Sequence, residues 1–179
     1  SSGRYEDIYF VNEKIGWAVH HGTIIKTSDG GDSWQVQFND ESLSGIFRSV
    51  AFADSLRGWA GTLGGELLQT NDGGSSWARL DTMITPKPEG VCDLSVVSNS
   101  AVFGSGRWSG PTNFLISTDA GASWENKSLA AYASLLIGCK FLTPSSGFVV
   151  GSSALANEGG VVLHTSDGGA TWEVRHKTM

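Results

Sequence analysis

The stretch that decides the fold is residues 27–34, Thr-Ser-Asp-Gly-Gly-Asp-Ser-Trp, which returns three more times in slightly altered form. The later copies begin at Thr70, Ser117 and Thr165, and the four share the pattern [ST]-x-D-[GA]-G-x-[ST]-W. Their aspartates are 43, 47 and 48 residues apart. A pattern repeated at this period predicts a chain made of similar stacked units.

A weaker repeat precedes each copy, as in residues 8–10 followed by Gly16-Trp17-Ala18-Val19. We align position 8 with positions 50, 92 and 139, so that Cys92 and Cys139 occupy the same place in adjacent units. In the first unit, β-branched and aromatic residues alternate in four short segments bounded by Gly, Asp and Ser, near 6–11, 15–20, 23–28 and 33–38. Such segments are typical of strands.

Four strands in a unit of about 45 residues match the strand number and length of a propeller blade. The sequence therefore predicts an all-β protein, a β-propeller of four-stranded antiparallel blades in a single domain over 1–179. The expected blades are 6–38, 48–80, 91–126 and 137–175. A helical stripe is conceivable only over 129–137, which is rich in alanine and leucine. A self-closed ring, part of a larger ring and half of a dimeric ring all remain open.

Each repeated stretch is expected to form the turn between the third and fourth strands of its blade. Its aspartate can accept hydrogen bonds from turn N–H groups, its second glycine is expected at positive φ, and its tryptophan is expected to pack between blades with the indole N–H bonded. Calcium is the functional alternative, but one dependable carboxylate per turn falls short of about six to eight oxygens. The structural residues are Asp29, Gly31, Trp34, Asp72, Gly74, Trp77, Asp119, Gly121, Trp124, Asp167, Gly169 and Trp172.

Composition excludes several classes of function. The net charge of −6 argues against nucleic acid, because phosphate binding needs clustered Lys and Arg. The longest nearly apolar run, 129–139, is too short to insert as a membrane-spanning helix of about 20 residues. No metal-ligand spacing and no phosphate loop is present, so we expect neither metal nor cofactor. Cys92 and Cys139 are expected to be buried free thiols, which leaves the redox compartment open.

The four stretches resemble the Asp-box, or bacterial neuraminidase (BNR) repeat, over residues 6 to 175. The form Thr-Ser-Asp-Gly-Gly-x-x-Trp with the added Gly-Trp-Ala element is most similar to photosystem II stability/assembly factor-like propellers. The resemblance implies a non-enzymatic, extracytoplasmic propeller (periplasmic, lumenal or secreted) that binds a protein partner. Full members of that group often have seven blades, so four blades are a departure in size.

Candidate binding residues are sought on the loops opposite the repeated turns, where box-containing enzymes place their sites. Trp108 is the one tryptophan outside both repeats, and it stands beside Arg107 in a Gly/Ser-rich loop, a combination enriched at binding hot spots. His20 and His21 are adjacent at a strand end, so their side chains should point to opposite faces, where they are poorly placed to chelate one metal. The ligand or partner set is Arg107, Trp108, His20, His21, Asn157 and Glu158.

A catalytic set cannot be completed from these loops. The acids in or near them are Asp40, Glu41, Glu66, Asp81, Glu89 and Glu158, and only Arg107 among the arginines is placed there with assurance. The sequence therefore favours a non-catalytic scaffold or assembly factor that binds protein. The alternative is a carbohydrate-active fragment, either a piece of a glycoside hydrolase or a sugar-binding module. A structural array cut from a larger chain is a third hypothesis, and a homodimer remains possible.

Overall fold

The structure, a computed structural model that describes residues 3–106 and 112–179, consists of four antiparallel sheets of four strands each. In every sheet the strands stand side by side in chain order. Blade 1 comprises β1 Asp7–Phe10, β2 Gly16–His20, β3 Thr23–Thr27 and β4 Gln35–Asn39, and blade 2 comprises β5 Phe47–Phe52, β6 Gly58–Thr62, β7 Leu67–Thr70 and β8 Ala78–Arg79. Blade 3 comprises β9 Asp93–Val96, β10 Val102–Gly106, β11 Asn113–Ser117 and β12 Glu125–Ser128, and blade 4 comprises β13 Ala133–Phe141, β14 Gly147–Ser153, β15 Gly160–Thr165 and β16 Glu173–Lys177.

The blades pack consecutively through aromatic residues of their inner strands. Trp17 of β2 stacks on Phe52 of blade 2 with ring centroids 3.5 Å apart, and Phe103 of β10 stacks on Phe141 of blade 4 at 3.6 Å. All four of these rings are at most 3% exposed. Burial of such large side chains is worth about 3–5 kcal/mol each when measured by truncation to alanine. The chain is thus an all-β propeller of four four-stranded blades.

Strand register corrects the alignment of the weaker repeat in the third unit. Phe10 pairs with Gly16 and Phe141 with Gly147, and in each blade that second residue pairs with the first residue of the repeated turn. In blade 3 the equivalent pair is Val96 with Val102. The third copy therefore sits two residues later than expected, and Leu94 rather than Cys92 is the counterpart of Cys139. The slip arose because Val102-Phe103 replaces the Gly-Trp that marks this place in blades 1 and 2.

The stretch 129–137 does not form a helix, since residues 133–141 belong to the longest strand, β13. Buried residues recur along this strand at intervals of two or three, because the strand accommodates two bulges against β14. The one helical element among the described residues is a 3₁₀ turn at Asp81–Met83. No helix within 3–106 or 112–179 has the length and apolar character needed to cross a bilayer.

Both cysteines are buried and free, and burial raises the pKa of the Cys92 thiol to about 11. The pKa of Cys139 is also raised, first by burial and then by the nearby Asp93 carboxylate. Thiols protonated at neutral pH are poor nucleophiles. These cysteines therefore pack as small apolar residues.

Candidate binding site on the loop face

The two ends of the propeller differ in how they are built. One end, the box side, carries the four repeated turns between the third and fourth strands of the blades, residues 27–34, 70–77, 117–124 and 165–172. The opposite end, the loop face, carries the connections between second and third strands and the connections between blades. Antiparallel order in each blade places these two kinds of connection together.

On the box side the same hydrogen bonds recur in every blade. In blade 1 the Thr27 hydroxyl donates to Asp29 Oδ1 at 2.7 Å and accepts from the Gly31 N–H at 2.9 Å. Ser33 donates its N–H to Asp29 Oδ1 at 3.0 Å and its hydroxyl to Oδ2 at 2.5 Å. The corresponding distances in the other three turns lie within 0.2 Å of these. Both hydroxyl-bearing residues of the pattern therefore donate hydrogen bonds to the aspartate.

Backbone geometry explains the second glycine of the pattern. Gly31, Gly74, Gly121 and Gly169 have φ between +85° and +100°, a region that a side chain makes costly. Donated hydrogen bonds also stabilise the charged carboxylates. The Ser76 hydroxyl and N–H lower the pKa of Asp72 to about 2, and the same groups of Thr171 lower the pKa of Asp167 to about 2.

The turn tryptophans differ from the expectation in two respects. Trp34 and Trp77 pack edge-on against Phe10 and Phe52 of their own blades, while Trp77 and Trp124 also pack against the apolar clusters that span neighbouring blades. Among the described residues, Trp172 is the turn tryptophan whose ring contacts a ring of the preceding blade, Phe114, at 5.0 Å. The buried indole N–H groups of Trp77 and Trp172 have no hydrogen-bond partner within 3–106 and 112–179, whereas Trp124 bonds the Gly121 carbonyl of its own turn. Trp17 and Trp59 of the second strands are fully buried in these same clusters between blades.

On the loop face, blade 2 holds a cluster of two buried carboxylates and two cations. Arg79 donates from Nε to Asp81 Oδ1 at 3.1 Å and from Nη2 to Oδ2 at 2.9 Å. Its Nη2 also lies 3.9 Å from Glu66 Oε1, and Lys87 Nζ lies 3.3 Å from Asp81 Oδ2. The carboxylates are at most 3% exposed, but Arg79 and Lys87 are 43% and 55% exposed. The acids are therefore covered while the cationic groups face solvent.

Glu66 is fixed by its surroundings and is not a free acid or base. It accepts hydrogen bonds from the hydroxyls of Ser44 and Thr62, and from the Ser44 N–H at 2.8 Å. Burial acts to raise its pKa, but these donated bonds outweigh burial and hold the pKa below the ordinary value. A carboxyl kept charged and saturated with internal donors is unsuited to general acid catalysis. Its geometry indicates that it anchors the loop at Ser44.

Two clefts flank this cluster. The first, about 490 Å³, lies between residues 21–23 and 39–46 of blade 1 and includes Ser44. The second, about 220 Å³, lies between blades 2 and 3 and is lined by Lys87, Asn113 and Asn126 among others. The Asn126 amide donates to the Pro86 carbonyl at 2.9 Å, but its buried Oδ1 accepts no hydrogen bond from the part of the chain that the structure describes. Because Ser44 bonds Glu66 and Lys87 bonds Asp81, the cluster joins the two clefts into one polar surface.

The histidine pair contradicts the expectation drawn from strand alternation. The rings of His20 and His21 lie together, with centroids 4.7 Å apart. His21 has φ +47°, so the backbone leaves the extended conformation there and both side chains turn to the same side. Tyr5 packs against His20 at 5.4 Å. Within the described residues no group of three or more metal-ligating side chains was found.

The remaining candidates do not join the histidines. Glu158 in the loop 153–160 accepts from the Ser153 hydroxyl at 2.5 Å and pairs with Lys177 Nζ at 2.6 Å, and Asn157 beside it is exposed. Among the described residues, no hydrogen bond or ring contact links this loop to His20 or His21. Arg107 and Trp108 lie outside the described residues. Sequence reasoning missed Arg79 and Lys87, although the short spacing from Arg79 to Asp81 was a signal for that ion pair.

Comparison with known families now identifies the chain by its repeats. The family model described as photosynthesis system II assembly factor YCF48 matches residues 2–91. The chain belongs to the YCF48 family. Among curated proteins no relative was found.

Solved structures agree with this YCF48 family fold. A YCF48 protein bound to a D1 peptide is 18% identical with a TM-score of 0.55, over 97% of this chain and 82% of that chain. YCF48 from Cyanidioschyzon merolae is 22% identical with a TM-score of 0.57, over 76% of this chain and 42% of that one. An ancestral GH74 enzyme is 14% identical with a TM-score of 0.70, over 96% of this chain and 25% of that one. At these identities the likeness shows the fold alone, and this chain spans less than half of the length of the last two proteins.

Proposed function

We propose that this chain is a non-catalytic propeller of the assembly-factor type that binds a segment of a partner protein through its loop face. The observation that carries the proposal is the cluster of Arg79 and Lys87, whose half-exposed cationic groups stand over buried acids between two clefts. A similar fold, the YCF48 protein described above, binds a D1 peptide. That likeness supports the type of partner but does not identify it.

The chemistry of the cluster suits an extended peptide with a carboxylate. Buried Asp81 holds the Arg79 guanidinium through two hydrogen bonds, so its exposed edge is already oriented toward solvent. A preoriented cation loses little side-chain freedom on binding, and charge-assisted hydrogen bonds are stronger than neutral ones. The polar clefts on either side would receive the flanking residues of the peptide.

A glycoside hydrolase needs one carboxyl group as acid and a second as base or nucleophile. Both buried acids of the cluster are instead occupied by internal donors, Glu66 by hydroxyls and Asp81 by Arg79 and Lys87. The GH74 neighbours therefore lend support to the fold and no support to hydrolysis.

The proposal is tested by fluorescence-polarisation titration with labelled peptides that tile a D1 sequence. We expect Lys87→Gln to weaken the tightest wild-type interaction about tenfold, which is about 1.4 kcal/mol. Lys14→Gln is the matched control, because Lys14 is an exposed lysine beside the box turn of blade 1 and its carbonyl accepts from the Gly30 N–H. Equal loss in both variants, or no titration by any peptide, would remove the loop face from this role.

The same titration tests the remaining binding candidates. Arg107→Ala, Trp108→Ala and the paired variant of His20 and His21 to Ala should each weaken binding if their loops contribute to the surface. Asn157→Ala and Glu158→Ala extend the test to blade 4. A glycan array run in parallel addresses the sugar-binding alternative, and a specific glycan signal without peptide binding would replace the proposal.

We also propose an extracytoplasmic location, which rests on the family alone. Fractionation of cells that express the native gene with a C-terminal tag checks it. Recovery of the tagged protein with cytoplasmic markers would contradict this location.

A further inference from the structure

The three joints between consecutive blades each have a described blade on both sides, so they can be compared directly. In the joint of blades 1 and 2, the Trp17 ring stacks on Phe52 with centroids 3.5 Å apart. In the joint of blades 3 and 4, Phe103 stacks on Phe141 at 3.6 Å. In the joint of blades 2 and 3, Trp59 is fully buried within an otherwise mainly aliphatic cluster and stacks on no ring of the described residues.

A pair of residues on the first and second strands explains the missing stack. In blades 2 and 4 a phenylalanine of the first strand pairs with a glycine of the second strand, and a Cβ on that glycine would lie 2.4 Å from the ring. These pairs are Phe52 with Gly58 and Phe141 with Gly147. In blade 3 the pair is Val96 with Val102, so this position has no ring to receive Trp59. Because aromatic pairs stabilise a contact beyond the area that they bury, the middle joint lacks a contribution that its neighbours have.

The first strands are also joined less strongly in the middle joint. Asp7 and Asp93 each accept a backbone N–H of the next blade at Oδ2, both at 2.8 Å. Strand register places Ser49 at the same position in blade 2. The Ser49 hydroxyl donates to the Val91 carbonyl at 3.3 Å, a longer bond without a carboxylate. Hydrogen bonds to carboxylates are stronger than neutral ones, so the second difference also weakens the joint of blades 2 and 3.

The loop face supplies a third difference at the same joint. Glu66 of blade 2 holds the connection from blade 1 through its carboxylate, which accepts the N–H and the hydroxyl of Ser44. Register places Asn113 of blade 3 at the position of Glu66. Asn113 holds the connection from blade 2 as a neutral amide, with bonds of 3.0 and 3.1 Å. The cleft of about 220 Å³ lies over this joint, between Lys87 of the connection and Asn113 of blade 3.

We propose that the joint between blades 2 and 3 is the hinge of this propeller, because it lacks the ring pair that closes the other two joints. The three differences come from separate residues and fall on the same joint. Parts of a protein with fewer stabilising contacts open at the lowest free energy. Since the cleft beside Lys87 lies over the hinge, its width changes when the two blades move. This inference does not depend on the peptide-binding function.

Spin labels at four equivalent positions measure the three joints in one protein. The labelled cysteines replace the exposed residue before the last hydroxyl-bearing residue of each repeated turn, by Asp32→Cys, Ser75→Cys, Ala122→Cys and Ala170→Cys. The native cysteines are buried and should not take the label. Each pair of adjacent positions gives one distance distribution by double electron–electron resonance. We expect a broader distribution across blades 2 and 3 than across blades 1 and 2 or blades 3 and 4. Equal widths, or the greatest width at another joint, would overturn the proposal.

Exchange of the residue pairs tests the cause of the difference. Val96→Phe with Val102→Gly introduces the ring pair into blade 3, so it should narrow the distribution across blades 2 and 3 and leave the other two unchanged. The matched variant is Phe141→Val with Gly147→Val, which should instead broaden the distribution across blades 3 and 4. A distribution across blades 2 and 3 that stays broad in a folded variant with the ring pair would overturn the proposal. Urea unfolding followed by tryptophan fluorescence shows whether each variant is folded, and the comparison of the three unexchanged joints decides even if an exchange prevents folding.

Discussion

The box side and the loop face are built from the same strands, yet the box side is nearly uniform, whereas the described parts of the loop face differ between blades 1, 2 and 4. The four turns of the box side repeat one set of hydrogen bonds within 0.2 Å. The loop face has a histidine pair in blade 1, a buried acid cluster in blade 2 and a Glu158–Lys177 ion pair in blade 4. The turns therefore have a structural role that constrains them, whereas the loops are free to vary and can carry recognition.

The largest effect is expected from glycines on the box side. A Cβ on Gly121 would lie 2.6 Å from the Trp59 indole nitrogen, and the residue has φ +85°. We expect Gly121→Ala to lower the free energy of unfolding by about 3 kcal/mol through backbone strain and overpacking. Gly31→Ala has similar strain, but its Cβ has no contact nearer than 3.9 Å, so it should cost about 1 kcal/mol. Urea unfolding measures both, and equal losses would contradict the packing of turns onto preceding blades.

The next effect concerns the acid cluster of the loop face. Glu66→Ala removes the acceptor of the Ser44 and Thr62 hydroxyls in a buried setting. Unsatisfied buried groups cost about 1–3 kcal/mol, so we expect a loss of about 2 kcal/mol in urea unfolding. Glu41→Ala is the control, because Glu41 is an exposed acid in the connection between β4 and β5 that also contains Ser44, and it should change stability little. If the two variants behaved alike, the cluster would be a surface feature without an anchoring role.

Lowering the pH should destabilise the box side more than the loops. The folded pKa of Asp72 and Asp167, about 2, lies below the unfolded value of roughly 3.9. The stabilisation from these carboxylates is therefore complete above pH 4 or so and is lost as the pH falls through about 2. We expect the thermal midpoint to fall over this window, and Asp72→Asn to fall less steeply than the wild type. Parallel curves for the two proteins would contradict the assignment.

The smallest effect on stability is expected from the two lysines of the binding test. Lys14 and Lys87 are exposed, and surface substitutions of this kind change stability by less than about 0.5 kcal/mol. Lys87→Gln and Lys14→Gln should therefore unfold at the same urea concentration as the wild type. A large loss in Lys87→Gln would mean that its effect on binding reports folding instead of recognition.

The fold could be predicted from the sequence because the residues that determine each turn are close together in the chain. Residues 27–34 contain every side chain that closes their turn, so four copies sufficed to place four blades. The two-residue alignment error in blade 3 arose because Val102-Phe103 replaces the Gly-Trp pair that marks this position in blades 1 and 2. The expectation that each buried indole N–H has a hydrogen-bond partner is not met at Trp77 and Trp172 among the described residues. Their rings are packed by neighbouring side chains that offer no acceptor to the N–H group.

The loop face could be predicted only in part, because its groups come from distant positions. Glu66 and Asp81 were noted as acids of these loops, but the contacts that bring Glu66 to Ser44 and to Arg79 join residues from separate connections. The pairing of His20 with His21 depends on a single backbone angle, φ +47° at His21, which strand alternation does not foresee. Neither feature has a sequence signature comparable to the repeated turns.

The division between a structural side and a binding side is tested most directly by hydrogen exchange with and without a bound D1 peptide. We predict slower amide exchange on peptide addition in residues 39–46 and 80–90, with no change in the turns 27–34, 70–77, 117–124 and 165–172. Protection confined to the repeated turns, with the loop connections unchanged, would contradict the account.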